Sequence, residues 1–391
     1  MKRLLSKHSI APRTAAQSQS CKRILLGQLA SHGDCLYATV IARQIKTDYP
    51  GCHLTWAIGS MYSSILNGNP HVDEVWEIPL ANHKEVCNVW QKFEREALER
   101  KKLGDFDKVF LTQLYPNNIQ NFDGTVRSSI FRGYPRPITV PVAPVIQLLP
   151  NEIENVRCFA EAHHLGNKAH VILFECSPKS GQSFITIDFA LEFAQNLTRK
   201  ISDVCIILSS NIPIQSTDER IIDGSILSFR ENAELTKYCS LLIGGSSGIS
   251  WLCTSDWAKP LPMIQLLKKE QSVYASFVND YEYWGIATDN IIEMTDCQVD
   301  RLVKCVVTYI TEGFPSTRLV FHEHISVTFD FYYKFFLFGI LVQGEYKKAL
   351  ISMLNTIRRY GLHPRLLEFV FATFIKHSRK LLSKFMVEFN T

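Results

Sequence analysis

The sequence predicts an α/β protein of two domains, each built around a mainly parallel sheet. Three observations lead to this prediction. The chain has 391 residues, a length that suits two domains of ordinary size. Short apolar runs alternate with segments of helical spacing along residues 22–310, which is typical of right-handed βαβ units. A proline-dense stretch at 134–150 interrupts the alternation, and this indicates a linker between the two domains.

The composition is that of an ordinary globular protein. Hydrophobic residues make up 46% of the chain and charged residues 20%, so each domain has enough apolar material for its own core. The formal net charge of +4 is only mildly basic. It does not indicate a nucleic-acid-binding protein, in which Lys and Arg usually concentrate on one face. It is compatible with an anionic substrate or with docking at an anionic membrane.

The cysteines and the N-terminal segment favour a cytosolic protein. The chain has 11 cysteines and no CxxC pair, and we interpret them as reduced thiols, several of them in the core. No apolar stretch reaches the roughly 18 residues that a membrane-spanning helix needs. Residues 1–21 carry Lys, Arg, Ser and Thr but no acid. We interpret them as a flexible basic tail, with an organellar transit peptide as the alternative.

The first domain is predicted to span 22–150. Its apolar run at 24–29 predicts a buried strand. A turn at 30–34 leads into a helix, which Tyr49-Pro50-Gly51 ends. Further strands are predicted at 54–58, 72–78 and 108–112, and further helices at 60–66 and 84–102.

The second domain, predicted at 151–324, repeats the pattern. Its predicted strands are 171–175, 204–209, 225–229, 241–244 and 263–267, and its predicted helices are 188–199, 232–238, 248–255 and 300–310. From 325 to 391 the character changes, with an aromatic run at 331–337 and helical runs at 346–360 and 364–385. These last helices are predicted either to cap the core of the second domain or to contact a membrane surface or a partner, because they carry aromatic and basic residues.

The turn Ser31-His32-Gly33-Asp34 is the first candidate for chemistry. Ligands of open parallel sheets bind beyond the carboxyl ends of the strands, and this turn follows the first strand. Gly33 permits a tight turn and the close approach of a ligand. Asp34 could act as a general base that takes a proton from an attacking hydroxyl. Alternatively, it only caps the helix that follows.

The segment Gly244-Gly245-Ser246-Ser247-Gly248 joins a strand to a helix and is the second candidate. The glycines let the backbone approach a ligand, the helix N-terminus suits a diphosphate, and the two serines add hydroxyl donors. The segment is neither a Walker A motif nor a GxGxxG fingerprint, and it lacks the spacing of a GxSxG elbow. The alternative is a serine N-cap with glycines that serve packing.

A third candidate is Glu175-Cys176-Ser177-Pro178-Lys179-Ser180, which leaves the first strand of the second domain. Lys179 could pair with a phosphate, or it could be an ordinary solvated lysine. The segment His322-Glu323-His324 could place two imidazoles on one side of a strand. No further ligands lie nearby in the sequence, so no metal site is predicted there.

Taken in order, these stretches resemble glycosyltransferase family 9, the ADP-heptose–lipopolysaccharide heptosyltransferases. The resemblance is specific as an ordered set over roughly residues 22 to 270, rather than motif by motif. In the first half it rests on Arg23-Ile24-Leu25-Leu26 through Gly33-Asp34, then Tyr49-Pro50, Asn69-Pro70 and Val72-Asp73-Glu74-Val75. In the second half it rests on residues 235–244, followed by Ser247-Gly248-Ile249-Ser250.

The resemblance implies an α/β fold of the GT-B kind: two Rossmann-like domains with parallel sheets facing a cleft, here with a C-terminal helical extension. It also implies an inverting transfer of a sugar from a nucleotide-sugar donor to a glycan or glycolipid acceptor, such as lipopolysaccharide core. Asp34 falls on the family's catalytic base, in an acceptor-side loop with Ser31, His32 and Gly33. The implied donor-binding residues are Ser177, Lys179, Ser180, Gln182, Glu219, Gly245, Ser246, Ser247, Gly248 and Trp251. No metal or other cofactor is implied, because helix termini and basic side chains offset the charge of the leaving diphosphate.

Three positions depart from the family's pattern, and all three are on the donor side. The family usually has Asp where this chain has Ser246, His where it has Trp251, and a basic residue that aligns best with Gln182, although Lys179 could substitute for it with a shifted loop. These departures leave the donor sugar open. They also motivate a second hypothesis, a non-catalytic nucleotide- or glycan-binding protein of the same fold. A third hypothesis is a nucleotide-sugar epimerase of similar two-domain shape.

Overall fold

A computed structural model of the chain describes residues 21–269, 275–326, 329 and 344–367. The predicted tail at 1–21, apart from Cys21, the aromatic run at 331–337 and the last helical run beyond 367 therefore lie outside the described residues. Within them, the strands and helices form two α/β units, each with one sheet in which every observed strand pairing is parallel. The predicted fold class of two Rossmann-like domains is confirmed.

The first sheet has four strands in the order β3-β2-β1-β4. They are β1 (Arg23–Gly27), β2 (His53–Gly59), β3 (Glu74–Ile78) and β4 (Lys108–Leu111). Helix α1 (His32–Asp48) crosses from β1 to β2, and α2 (Val86–Lys102) crosses from β3 to β4. The predicted helix at 60–66 is a 3-10 helix, Ser60–Leu66. A short helix, α3 (Val126–Phe131), follows β4.

The second sheet has six strands in the order β10-β9-β8-β5-β6-β7. They are β5 (His170–Glu175), β6 (Val204–Ser209), β7 (Ile221–Asp223), β8 (Leu241–Gly244), β9 (Met263–Leu266) and β10 (Ile291–Met294). The helices of this half are α4 (Pro150–Ala162), α5 (Ile187–Lys200), α6 (Glu231–Leu235), α7 (Gly248–Leu252), α8 (Phe277–Tyr283), α9 (Val299–Glu312) and α10 (Phe314–Phe321). Strands β6 and β8 are continuously buried, and β5 is buried after its first residue, as expected of a parallel sheet with both faces covered.

One predicted strand is wrong and one strand was not predicted. The structure has a turn at 225–229, because the Asp223 carboxylate accepts hydrogen bonds from the backbone N–H and the hydroxyl of Ser225 and turns the chain there. The strand itself lies just before this turn, at Ile221–Asp223. Strand β10 at the sheet edge was not predicted, nor were the helices α3, α4, α8 and α10.

The linker runs without regular structure from about 134 to 149 and is held by both domains. Gln44 of α1 accepts hydrogen bonds from the backbone N–H groups of Thr139 and Val140. On the other side, the Asp256 carboxylate accepts from the N–H of Ile146 and pairs with Arg43 at 2.7 Å. The two domains are thus fixed to each other through the linker as well as through their facing surfaces.

The last described helix is α11 (Tyr346–Tyr360), which agrees with the predicted range. The Ser352 hydroxyl donates to the carbonyl of Phe122 and the Asn355 amide to the carbonyl of Gln120, so the helix packs mainly on the first domain. Its predicted place over the second domain is met only near its C-terminal end, where Arg359 donates to Asn279. None of the helices in the described part of the chain has the length and apolar character to cross a membrane.

Candidate active site

Asp34 lies in the first turn of α1, where Ser31 is the N-cap residue. Asp34 is therefore not the N-cap residue itself, but at the third helical position it reaches back to the N-cap Ser31, as the acid of a capping box does, so a capping role stays open beside a catalytic one. Its carboxylate accepts hydrogen bonds from both the side chain and the backbone of Ser31. Burial raises the pKa of Asp34 to about 7, and the hydrogen bonds from Ser31 only partly oppose this effect. A carboxylate with such a pKa is suited to accept a proton near neutral pH.

A buried amide pair holds the turn that carries Asp34. The side-chain oxygen of Gln113 accepts hydrogen bonds from the backbone N–H groups of Leu29 and Ala30, both at 3.0 Å. It also accepts from the Gln28 side chain at 2.9 Å, and Gln28 in turn donates to the carbonyl of Ala30. The chain between β1 and α1 is thus fixed by groups that have no access to solvent.

The turn faces the second domain directly. A Cβ placed on Gly248 would lie 3.1 Å from the Cβ of His32, and a Cβ on Gly33 would lie 3.9 Å from the Trp251 ring. The His32 ring also contacts Phe229 of the second domain, with the ring centroids 4.6 Å apart. Two loops that were predicted separately, 31–34 and 244–248, therefore meet across the cleft between the carboxyl ends of the two sheets.

His32 and Lys179 are electrically coupled across this cleft. Burial, and after it the positive charge of Lys179, lower the pKa of His32 to about 4. The imidazole is therefore neutral at pH 7. Lys179 itself is exposed, and it places a cation opposite the loop that carries Asp34.

The loop after β8 rests on a buried carboxylate. Glu175, at the end of β5, accepts hydrogen bonds from the hydroxyls of Ser247 and Ser250 and, at 3.4 Å, from the N–H of Gly245. The N–H of Ser246 donates to the side chain of Gln265 at 3.0 Å. The prediction that this loop offers its serine hydroxyls to a diphosphate is therefore corrected for Ser247, whose hydroxyl is engaged by Glu175. Helix α7, which follows, is only five residues long.

Gly245 is tightly enclosed, and a side chain there is expected to disturb the loop. An added Cβ would overlap the Cβ of Ser183 and lie 2.6 Å from its hydroxyl oxygen, which is itself bonded to the carbonyl of Leu266. We expect Gly245→Ala to lower the free energy of unfolding by about 1–3 kcal/mol, as overpacking usually does.

The matched control is Gly166→Ala, because a Cβ there would have no heavy atom within 4 Å. Chemical denaturation of both variants checks the expectation. Equal stability of the two variants would show that the loop moves aside without cost.

The remaining donor-side residues fall on or beside the loop from β5 to α5. The Ser177 hydroxyl donates to the side chain of Asn211 at 3.3 Å, and the Ser180 hydroxyl accepts from the N–H of Gln182. Gln182 is buried, and its backbone carbonyl accepts a hydrogen bond from the backbone N–H of Lys268. Of these loop residues, Ser180 is exposed in the same way as Lys179.

Trp251 is packed between the domains instead of opening to the cleft. It is 6% exposed and stacks on Phe277 with a centroid separation of 3.7 Å. The guanidinium of Arg127, from the first domain, lies 4.8 Å from the indole ring, and Tyr37 meets it edge-on. This contact joins the two domains, so Trp251 has a structural role at their interface.

The structure does not bring Glu219 into the site. Glu219 precedes β7 and is exposed at the amino end of that strand, whereas the cleft lies at the carboxyl ends. The carboxylate at the carboxyl end of this strand is Asp223, which the sequence analysis did not single out. Two aromatic groups at the carboxyl edge of the first sheet were missed as well. Tyr62 lies 4.8 Å from His32 by ring centroids, and its hydroxyl is 3.2 Å from Nδ1 of His83.

The segment 322–324 has a structural role. Nδ1 of His322 accepts from the N–H of Glu293, and the Glu323 carboxylate accepts from the N–H and the hydroxyl of Thr295. Burial lowers the pKa of His322 to about 4. No group of three or more potential metal ligands occurs among the residues that the structure describes.

Comparison of the sequence with family models and with curated proteins gives no match. Comparison of the structures does find similar proteins. A family 9 glycosyl transferase from Veillonella parvula aligns at 15% identity over 62% of this chain and 80% of its own, with a TM-score of 0.48. The ADP-heptose LPS heptosyltransferase II of E. coli aligns at 12% identity over 74% and 99%, with a TM-score of 0.49. MurG from Acinetobacter baumannii aligns at 12% identity over 78% and 96%, with a TM-score of 0.41.

Proposed function

We propose that the chain is an inverting glycosyltransferase, which moves a sugar from a nucleotide-sugar donor to a hydroxyl of a glycan or glycolipid acceptor. The acceptor binds at the first domain and the donor at the second. Asp34 takes the proton of the acceptor hydroxyl, the hydroxyl oxygen attacks the anomeric carbon, and the bond to the nucleoside diphosphate breaks. The proposed localisation of the protein is the cytosol, at or near the inner face of a membrane.

The observation that carries this proposal is the position and pKa of Asp34. A carboxylate whose pKa is raised to about 7 stands at the carboxyl end of β1, on a turn that meets the loop after β8. Perturbed acids in a cleft between two domains are candidates for general acid–base catalysis. The neutral His32 beside it adds no charge that would lower this pKa again.

On the donor side, the chemistry would fall to Lys179 and to the backbone of the loop 244–248. Lys179 is an exposed cation whose charge acts on His32, and it can offset the charge of a leaving diphosphate. Asp223, at the end of β7, would accept from a ribose hydroxyl in exchange for its bond from the Ser225 hydroxyl. In this arrangement the mechanism needs no metal.

A second candidate function is a binding protein without transfer activity. One observation favours it: Glu175 lies directly beneath the loop 244–248 and already accepts from the hydroxyls of Ser247 and Ser250. A buried carboxylate at this place opposes the approach of a diphosphate. The two candidates differ in whether a nucleotide sugar binds and whether it is consumed.

Thermal unfolding with nucleotides tests the proposal. The full chain is heated with ADP, UDP, GDP and CMP and with their common sugar conjugates. We expect one nucleotide family to raise the Tm, because ligand at about 100 times its Kd stabilises a protein by roughly 2.7 kcal/mol. Lys179→Ala should reduce that shift, whereas Lys168→Ala, a lysine of the second domain outside the β5–α5 loop, should not.

The same samples are then assayed for turnover. Consumption of the donor only when a glycan acceptor is present supports a transferase. Conversion without an acceptor would point to an epimerase, and binding without any conversion to the non-catalytic protein. If none of the nucleotides or nucleotide sugars raises the Tm, the proposal is contradicted.

A further inference from the structure

Helix α11 presents a mainly polar face to the protein, with Met353 and Ile357 partly buried against the core at its edge, and it leaves a second apolar stripe outward. The residues that it buries are small or polar: Ala349, Ser352, Asn355 and Thr356. Its leucines lie on the opposite side, with Tyr346 69% exposed, Leu350 53% and Leu354 44%. These three residues are spaced four apart, so they form one stripe along the helix. In a helix that only covers a core, the apolar stripe faces inward.

The polar face of α11 forms hydrogen bonds with both domains. The hydroxyl of Ser352 and the amide of Asn355 donate to carbonyls of the first domain at 2.6 and 3.0 Å. Arg359 donates to the hydroxyl of Ser128 at 2.7 Å and to the side chain of Asn279, in the second domain, at 3.0 Å. These bonds fix the rotation of the helix about its axis, and so they hold the apolar stripe away from the protein.

The charges around the stripe are almost all positive. Residues 344–367 contain five Lys and Arg residues, of which Arg359 is buried on the inward face, and a single acid, Glu345, which pairs with Lys348. Lys347 and Arg358 are exposed on the same side as the leucines. Two further leucines just beyond the helix, Leu362 and Leu367, are also exposed. A rigid apolar stripe flanked by cations matches the surface of an anionic bilayer, which offers acyl chains beneath negative headgroups.

We propose that this outward face of α11, defined by Tyr346, Lys347, Leu350, Leu354 and Arg358, docks the protein on an anionic lipid surface. The inference deepens the proposed function, because docking through α11 would hold the acceptor-binding first domain beside the membrane that carries a glycolipid acceptor. Membrane docking does not require turnover, so an experiment can support or contradict it independently of the proposed transferase activity.

Vesicle flotation with the full chain tests the inference. We expect binding to vesicles of phosphatidylcholine with phosphatidylglycerol, and little binding to phosphatidylcholine alone or at high salt. Leu350→Gln/Leu354→Gln should weaken binding by roughly tenfold or more, because it removes apolar contacts with the acyl region. Lys347→Glu/Arg358→Glu should weaken it by a similar factor.

Matched controls carry the same chemical changes elsewhere. Leu103→Gln/Leu319→Gln alters two other exposed leucines, and Lys101→Glu/Lys102→Glu alters two exposed lysines at the end of α2. Both controls should bind like the wild type. Equal binding by the α11 variants and their controls would overturn the inference, as would wild-type protein that does not float with anionic vesicles.

Two other occupants of the stripe have distinct signatures. If a second copy of the chain covers it, light scattering will show a dimer that Leu350→Gln/Leu354→Gln dissociates, and vesicles will not bind. If residues 368–391 cover it, the same variant will lose thermal stability and vesicles will again not bind. Either result would overturn membrane docking and identify a different partner for the apolar stripe. Turnover of a water-soluble acceptor by the α11 variants should equal that of the wild type, which keeps this test separate from the catalytic proposal.

Discussion

Replacing Asp34 by Asn should abolish most turnover and leave nucleotide binding intact. The amide has nearly the same shape as the carboxylate but cannot accept a proton from the acceptor hydroxyl. General-base catalysis by a positioned side chain contributes about 10²- to 10⁴-fold, so a loss of kcat of this size is expected. The donor binds at the second domain, so the Tm shift caused by the nucleotide should persist in the variant.

The pH dependence of the wild type gives an independent measure of the same group. Asp34 must be ionised to act as a base, and burial raises its pKa to about 7. The value of kcat/KM should therefore rise with pH through about 7 in the wild type. Residual activity of Asp34→Asn should lack that rise, because the titrating group is gone.

The free energy of unfolding should change with pH in the opposite direction to kcat/KM: it should fall as the pH rises. The pKa of Asp34 is about 7 in the folded protein against 3.8 for an ordinary aspartate, so the folded state binds the proton more tightly than the unfolded state. The stability that this proton provides is complete below about pH 4 and is lost as the pH rises to 7. Asp34→Asn, which cannot ionise, should be more stable than the wild type above pH 7, on the order of a few kcal/mol. The difference should vanish in acid.

Glu77→Gln is the matched control, because Glu77 is an exposed carboxylate on β3 of the same domain. It should change neither the rate nor the pH dependence. Near-normal turnover by Asp34→Asn would remove Asp34 from the mechanism. Loss of turnover together with lower stability at pH 8 would mean that Asp34 has a structural role.

The strands were predictable wherever the apolar run is local and continuous. Strands β6 and β8 have the predicted ranges, because every residue in them is buried and turn residues bound them. Strand β10 could not be found in this way, because a buried carboxylate, Glu293, interrupts its apolar run. Glu293 accepts hydrogen bonds from Ser276 and from the N–H of Val278, and such distant partners leave no signal in the sequence.

The candidate site was predictable in part for a similar reason. Asp34 could be placed because a strand followed by a glycine turn fixes which end of the sheet it occupies. Glu219 was assigned to the site from the resemblance alone, and the structure places it just before β7, at the amino end of that strand. The engagement of Ser247 by Glu175 depends on two loops that meet only in the folded chain. The periodicity of α11 correctly predicted a helix, but periodicity alone cannot show that the polar face turns inward.

Arg230 is the residue whose loss should destabilise the fold most. Its side chain is buried and forms a bidentate ion pair with the Glu152 carboxylate, with N–O distances of 2.7 and 2.8 Å. It also donates to the carbonyls of Gln147 in the linker and of Ser64 and Ile65 in the first domain. One guanidinium therefore joins the first domain, the linker and the second domain.

We expect Arg230→Met to lower the free energy of unfolding by about 3–5 kcal/mol, because the buried Glu152 carboxylate loses its charged partner and keeps only the N–H of Leu149, while three carbonyls lose their bonds to Arg230. Urea unfolding followed by tryptophan fluorescence measures the change. The double variant Arg230→Met/Glu152→Met removes the stranded charge and should recover part of the loss. Arg157→Met is the matched control, because Arg157 pairs with Glu154 and Glu161 on the exposed side of α4, and it should have little effect.

The pH dependence of the same variant identifies the cause of the loss. Burial alone would raise the pKa of Glu152, but hydrogen bonds from Arg230 and from the N–H of Leu149 hold it below its usual range. The stability that this pairing provides is present above the ordinary pKa of a glutamate and is lost as the pH falls through the lowered value. Wild-type protein should therefore lose more stability on acidification than Arg230→Met does. Parallel pH curves for the two proteins would show that the carbonyl contacts of Arg230, rather than its pairing with Glu152, hold the domains together.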